Sequence, residues 1–460
     1  MRKRLTANNF LESAMGVMVA GFVISGRWDL ARLFEWDGRD FLAEPRLWVV
    51  GLSAVLAMAL LSASAAQTTL LKVPAAALLL VVFLAFVIAS SLWSSADYTV
   101  GDKLYDVVLL LLFSLFLIIT LGMSKEFYIL DAFWITLFIG TAMLALFGVY
   151  QASGPEGERI SVLGGGPIVF GRLMGLCLLG SLRIWRRGVP VSVILPLVAV
   201  SSLLVVSSGS RGALVSVVCA VAVFFVLERV PFWKVAIVGL AGAVTSAAIV
   251  FWTPFGESVA SMYGRRIVEL TIEEQYTSGR TEIYRAALKL GSENPFVGAG
   301  LGGFASTGLH VYPHNLFLEV FSETGMAGLG LIAAALGLAG AQMIRSRRRV
   351  DAATVAALVL ALMSSQFSGD LFDSRSAFIF LLFCTFRPRA FGGAPILPGG
   401  SIPFPSPGLP DIAGIPGSER NRHGPGSMGA VPVALRASPD RPPAMVVVPR
   451  PLAPPFREGS

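Results

Sequence analysis

One repeated feature constrains this chain more than any other: apolar runs that reach the ~20 residues a helix needs to cross the hydrocarbon of a bilayer. There are about twelve of them, at 8–26, 47–66, 74–93, 104–122, 127–149, 167–185, 189–207, 211–227, 235–252, 314–342, 352–368 and, shortest, 376–386. In lipid every backbone N–H and C=O must find its partner inside the protein, and runs of this length do so as helices. The expected fold class is therefore all-α, a polytopic membrane protein of about twelve transmembrane helices. Composition agrees, because 460 residues that are 55% hydrophobic and only 14% charged are too apolar for a soluble domain.

The formal charge of +7 does not point to nucleic acid. Its basic residues sit in short clusters between apolar runs, which in membrane proteins mark cytoplasmic loops, so the surroundings expected are membrane lipids. With the amino terminus inside, Arg183, Arg186 and Arg187, then Arg229 and Lys234, then Arg345, Arg347, Arg348 and Arg349 all fall inside as well. The 27–46 and 151–166 loops, the turn before Arg211, the polar interval 253–313 and the stretch 369–373 then face outward. Arg2, Lys3 and Arg4 precede the first run without a small-residue cleavage site after it, which predicts an uncleaved first helix. Cys177, Cys219 and Cys384 lie in apolar runs at spacings that suit neither zinc nor disulfides and read as small hydrophobes. The chain divides into a membrane domain, 1–386, and a tail, 387–460. The tail holds most of the 27 prolines together with His423, and its composition predicts disorder on the cytoplasmic side.

The interval 253–313 is the long polar stretch of the membrane domain and holds His310; His314 follows it directly. Within it, residues 281–290 read as a short amphipathic helix with Ile283, Ala286, Ala287 and Leu290 on one face, ended by Gly291 and Pro295. Arg280 stands at its start and Tyr284 one turn on, along the same side. The run from Gly298 through Gly303 suits a tight turn where backbone approaches something closely. It follows no strand, which argues against a nucleotide-binding loop.

Several residues are candidates for chemistry. Arg211 opens an apolar run on the outer face; it is either an interfacial arginine reaching for headgroups or a fixed cation for phosphate at a helix amino terminus. Arg280 has the same two readings, and Arg265 and Arg266 are further candidates that Glu269, Glu273 and Glu274 can instead neutralise. His314 begins a membrane run beside Asn315, with His310 four residues earlier. Pro313 breaks the helical spacing that two histidine ligands on one face would need. A general base is the better functional reading, since an imidazole titrates near neutral pH, and a structural cap is the other. Glu319 and Glu323 lie four apart in an apolar run, where a carboxylate is costly unless it is paired or faces a wet pocket.

Taken in order, Ser210-Arg211-Gly212-Ala213, Gly279-Arg280-Thr281 with Tyr284, Asn294-Pro295 leading into Gly298-x-Gly300, and His314-Asn315 followed by Glu323-x-Gly325-x-x-Gly328 resemble the O-antigen ligase and polymerase superfamily. The resemblance spans roughly 200–330 at motif level and the whole membrane region in topology, with a large periplasmic loop between late helices. It implies a metal-independent glycosyltransferase of the inner membrane, without a cofactor, its active site facing the periplasm and both termini cytoplasmic. The implied donor is an undecaprenyl-diphosphate-linked glycan, and the implied acceptor is the lipid A core or a growing polysaccharide. By that likeness Arg211 and Arg280 hold the diphosphate and His314 takes the acceptor proton. Tyr284, Arg265, Arg266, Asn315 and Glu323 complete the expected substrate site. A polysaccharide polymerase of the same superfamily is the nearest alternative. A lipid-linked sugar transporter is more distant, because it should carry ionisable residues near the midplane of several spans.

Overall fold

The computed structural model describes residues 7–26, 44–65, 72–96, 99–124, 128–152, 166–253, 280–345 and 351–386. Arg265, Arg266, Arg347 to Arg349 and the tail from 387, with its expected disorder, lie outside the described residues. Among those described, every regular element is a helix. In chain order they are α1 (Ala7–Ser25), α2 (Pro45–Ala65), α3 (Ala75–Ala89, prolonged by a 3₁₀ turn Ser90–Trp93), α4 (Val100–Met123), α5 (Tyr128–Ala152), α6 (Pro167–Arg186) and α7 (Val191–Ser207). There follow α8 (Arg211–Leu227), α9 (Phe232–Trp252), α10 (Arg280–Glu293), α11 (Leu316–Arg345), α12 (Ala352–Ser364) and α13 (Arg375–Thr385). Eight are long and apolar enough to cross a membrane, while α7, α8, α12 and α13 are shorter apolar helices. Only α10 does not coincide with one of the apolar runs.

Local chemistry sets the helix ends. Ser210 caps α8 by accepting from Ala213 N–H, and Asp351 caps α12 by accepting from Thr354 N–H. Phe22 stacks on Phe113 at 4.0 Å and meets Phe372 edge-on, which joins α1, α4 and the segment before α13. On the far side of α13, Phe133 packs against Phe380 and Phe383.

Charges separate to the two ends of the bundle. At one end Arg183 bridges Asp131 at 2.8 Å and Asp351 at 3.0 Å, Arg187 also reaches Asp131, and Arg186 pairs with Glu228 at 2.7 Å. The other end gathers the starts of α4, α6, α8, α11 and α13 with the finish of α12.

The longest helix is two helices in series. Gly325 has φ 62° and ψ −160°, a conformation open essentially to glycine alone, and it breaks α11. The groups freed by the break are taken up by the loop 295–300. Met326 N–H donates to Pro295 C=O at 2.8 Å and Ala327 N–H to Phe296 C=O at 3.0 Å, while Ala299 N–H and Gly300 N–H donate to Ser322 C=O and Glu323 C=O, both at 2.9 Å. Gly298, at φ 70°, lies so close to the backbone of Glu323 and Thr324 that a Cβ has no place there. The expected close approach of the glycine run thus has an identified partner. Beyond the break, Met326 to Arg345 rises about 30 Å at 1.5 Å per residue, enough to cross the hydrocarbon alone.

One expected boundary needs correcting. The helix predicted over 281–290 begins at Arg280 and continues through Gly291 to Glu293. Gly291 does not end it because it is the point where α10 packs on the Phe321 ring, with no space for a side chain. The helix stops only before Asn294 and Pro295.

Candidate functional site

The site is organised by the loop between α12 and α13. The carbonyl of Gln366 accepts from Tyr284 Oη of α10 at 3.3 Å and from Asn315 Nδ2 at 3.2 Å. Leu316 N–H, opening α11, donates to Ser365 C=O at 2.9 Å. From α6, the Arg172 guanidinium donates to the carbonyls of Ser364 (3.0 Å) and Ser368. From α8, Gly212 lies against the Phe367 side chain. Elements distant in sequence are thereby fixed to one short segment: the opening turns of α6, α8, α10 and α11, with Arg211 and Arg280 opening two of them and His314 preceding a third.

Arg211 is the first residue of α8, and the next residue, Gly212, packs on Phe367. The amino terminus of that helix offers partial positive charge next to a guanidinium, a combination suited to an anion. Arg280 opens α10 one turn before Tyr284 and has no carboxylate partner among the described residues. Its charge is felt at His314.

His314 is held in the left-handed region at φ 58°, uncommon for a residue with a side chain and a form of strain that collects at functional positions. Its Nε2 faces His310 Nε2 at 3.3 Å. Its Nδ1 is buried and meets no hydrogen-bond partner among the described residues. Desolvation by burial, then the neighbouring His310 and the Arg280 cation, push the His314 imidazole down to about 4, against a weaker opposing pull from Asp370. At neutral pH the ring is therefore uncharged and in the form that accepts a proton. The capping role left open for it belongs to its neighbour, since Asn315 Oδ1 accepts from Leu318 N–H at 3.1 Å.

Glu323 and Glu319 do share a face, and a lysine explains why they are tolerated there. Lys103 Nζ, in the first turn of α4, lies 2.8 Å from Glu319 Oε1 and 2.6 Å from Glu323 Oε1, all three side chains being buried. The cluster borders a cavity of roughly water size that is also lined by Asp106, Asp370 and Phe372. Sequence reasoning missed Lys103, although a lysine heading an apolar run opposite two unexplained glutamates was a usable signal. It also missed Arg172 and the Gln366 carbonyl, the second of which leaves no trace in residue type.

The apolar helices fit a multi-pass membrane protein, and at one end of the bundle the loop between α12 and α13 is the platform that anchors Tyr284 and Asn315, next to Arg280 and His314. Residues 196–333 match the family model described as O-Antigen ligase. No curated protein matches the chain.

Proposed function

We propose that this protein moves a glycan from an undecaprenyl-diphosphate carrier to an acceptor hydroxyl, in the manner of an O-antigen ligase with the lipid A core as acceptor. The observation that carries the reading is His314, held at φ 58° in the electrostatic reach of Arg280, between elements that Tyr284 and Asn315 fasten to the Gln366 carbonyl.

The chemistry follows from those groups. His314 withdraws the proton as the acceptor oxygen attacks the anomeric carbon, and the bond from that carbon to the diphosphate oxygen breaks with its electron pair left on the diphosphate. Arg280 and Arg211 stabilise the negative charge that grows there, so the lipid diphosphate is both activation and leaving group and no nucleotide is needed. Single displacement inverts the anomeric centre; a product with retained configuration would remove this scheme. Tyr284 and Asn315 hold the platform and border the substrate. Glu323 acts through its pair with Lys103.

In this reading the platform faces the periplasm of a bacterial inner membrane and both termini are cytoplasmic. Support comes from the basic clusters around Arg183, Arg229, Lys234 and Arg345, which lie at the opposite end of the bundle. The test is complementation of a deletion strain. Wild-type protein restores full-length chains on the lipopolysaccharide core, while Arg280→Ala and His314→Ala reach the membrane at normal levels and restore none. Wild-type chains from both variants refute the roles given, and a deletion phenotype of single capped repeats assigns the chain to polymerisation instead.

A further inference from the structure

The functional reading leaves one imidazole unused. His310 is exposed on the segment before α11, its ring centroid 4.4 Å from that of His314, and Tyr312 packs edge-on against both rings at 5.2 and 4.7 Å. Two imidazole nitrogens facing each other at 3.3 Å share one proton, because one must donate and the other accept. If that proton sits on His314 Nε2, the unpartnered Nδ1 carries the lone pair through which the ring can accept a proton. If the proton sits on Nδ1 instead, a buried N–H is left without an acceptor and no free lone pair remains on the ring.

We infer that His310 is a proton relay for His314: the base takes the acceptor's hydroxyl proton on Nδ1 while the proton already on its Nε2 passes to His310 Nε2 and from there to solvent. This rests on the glycan-transfer reading. The balance is complete. The acceptor O–H bond breaks and a His314 Nδ1–H bond forms; the His314 Nε2–H bond breaks and a His310 Nε2–H bond forms. His314 ends neutral in its other tautomer, and the positive charge resides on His310 until water removes the proton.

The surroundings explain why a relay is useful. The groups facing His314 are Arg280 from α10, Asp370 from the segment before α13, and Tyr312 and His310 from its own stretch. Burial and the arginine both disfavour a lasting imidazolium on His314, whereas His310 is open to solvent. Handing the charge outward also keeps it from competing with the arginine for the diphosphate.

The experiment uses full-length protein in membranes with a lipid-diphosphate-linked glycan and an acceptor. His310→Gln, which keeps a hydrogen-bonding side chain but takes up no proton, should lower kcat by at least about 10-fold with the donor KM unchanged. His310→Ala should show the same defect, relieved in proportion to added imidazole. The relay stands only if both results are obtained. Wild-type kcat in His310→Gln, a raised donor KM, or an alanine defect that imidazole does not relieve overturns it. His314→Ala separates this idea from the reading beneath it: wild-type turnover there defeats the base assignment itself, whereas a dead His314→Ala beside a fully active His310→Gln defeats only the relay.

Discussion

The two ends of the helical bundle treat arginine differently. At the end holding Arg183, Arg186 and Arg187, each guanidinium meets a carboxylate, from Asp131, Asp351 or Glu228. At the opposite end Arg46 pairs with Glu44 and Asp106 and Arg375 lies 3.9 Å from Asp373, but Arg172 donates to the carbonyls of Ser364 and Ser368, Arg375 also to those of Phe22 and Val23, and Arg280 meets no carboxylate among the described residues. Carbonyls fix a guanidinium in place without cancelling its charge. Arg183, Arg186 and Arg187 are thus paired for structure, whereas Arg280, among the described residues, keeps a charge that an anionic ligand can use.

Substitutions can break or sharpen that contrast. The largest effect is expected at His314, where alanine should reduce glycan transfer by about 10²- to 10⁴-fold with normal membrane insertion, measured as product formed per unit of immunodetected protein. Arg280→Ala should follow at about 10²- to 10³-fold, on the scale of losing one preorganised charge-stabilising donor. Arg211→Lys should also be impaired, since an ammonium does not reproduce the guanidinium fork.

A fourth substitution probes the buried pairing. Lys103→Met leaves Glu319 and Glu323 buried without their cation and should lower stability by about 3–5 kcal/mol, read as a drop in melting temperature in detergent. At the Arg183 end, Arg186→Ala should cost only about 0–1 kcal/mol, because Arg186 is 42% exposed in its pair with Glu228, and it should leave transfer untouched. A melting temperature unchanged in Lys103→Met, or a transfer defect in Arg186→Ala, would blur the distinction between the two ends.

The pH dependence has a defined sign. His314 titrates near 4 in the folded protein against about 6.5 unfolded, so the unfolded chain binds the proton first as pH falls. Its contribution to stability is constant above about 6.5 and declines between there and 4 as the medium is acidified. The base itself remains deprotonated down to about 4, so the acid limb of kcat/KM that belongs to His314 should lie near that value in the wild type and vanish in His314→Ala.

How far the sequence could be read depended on what each feature demands of residue type. Helices were legible because a bilayer requires about twenty apolar residues wherever one crosses; eight of the expected runs hold helices long and apolar enough to do so, and α7, α8, α12 and α13 occupy the others as shorter apolar helices. Arg211 and His314 stood out because ionisable residues at the edge of apolar runs are costly and few, and Arg280 because it heads the short amphipathic helix of the polar interval. The platform was not legible, since Gln366 contributes only its backbone oxygen and any residue has one. The junction of loop 295–300 with the break at Gly325 was half visible: the glycines signalled a close approach, but which backbone they approach is a matter of tertiary packing. Lys103 escaped because its partners are more than two hundred residues away.

The central claim is that the Arg280 and His314 end of the bundle binds a lipid diphosphate and activates a hydroxyl. Its most direct test measures donor binding and turnover separately, in membranes carrying each variant, with a polyprenyl-diphosphate-linked glycan. The account predicts that His314→Ala binds the donor as the wild type does yet forms no product, and that Arg280→Ala loses donor affinity together with transfer. Wild-type binding and wild-type turnover in both variants would contradict it.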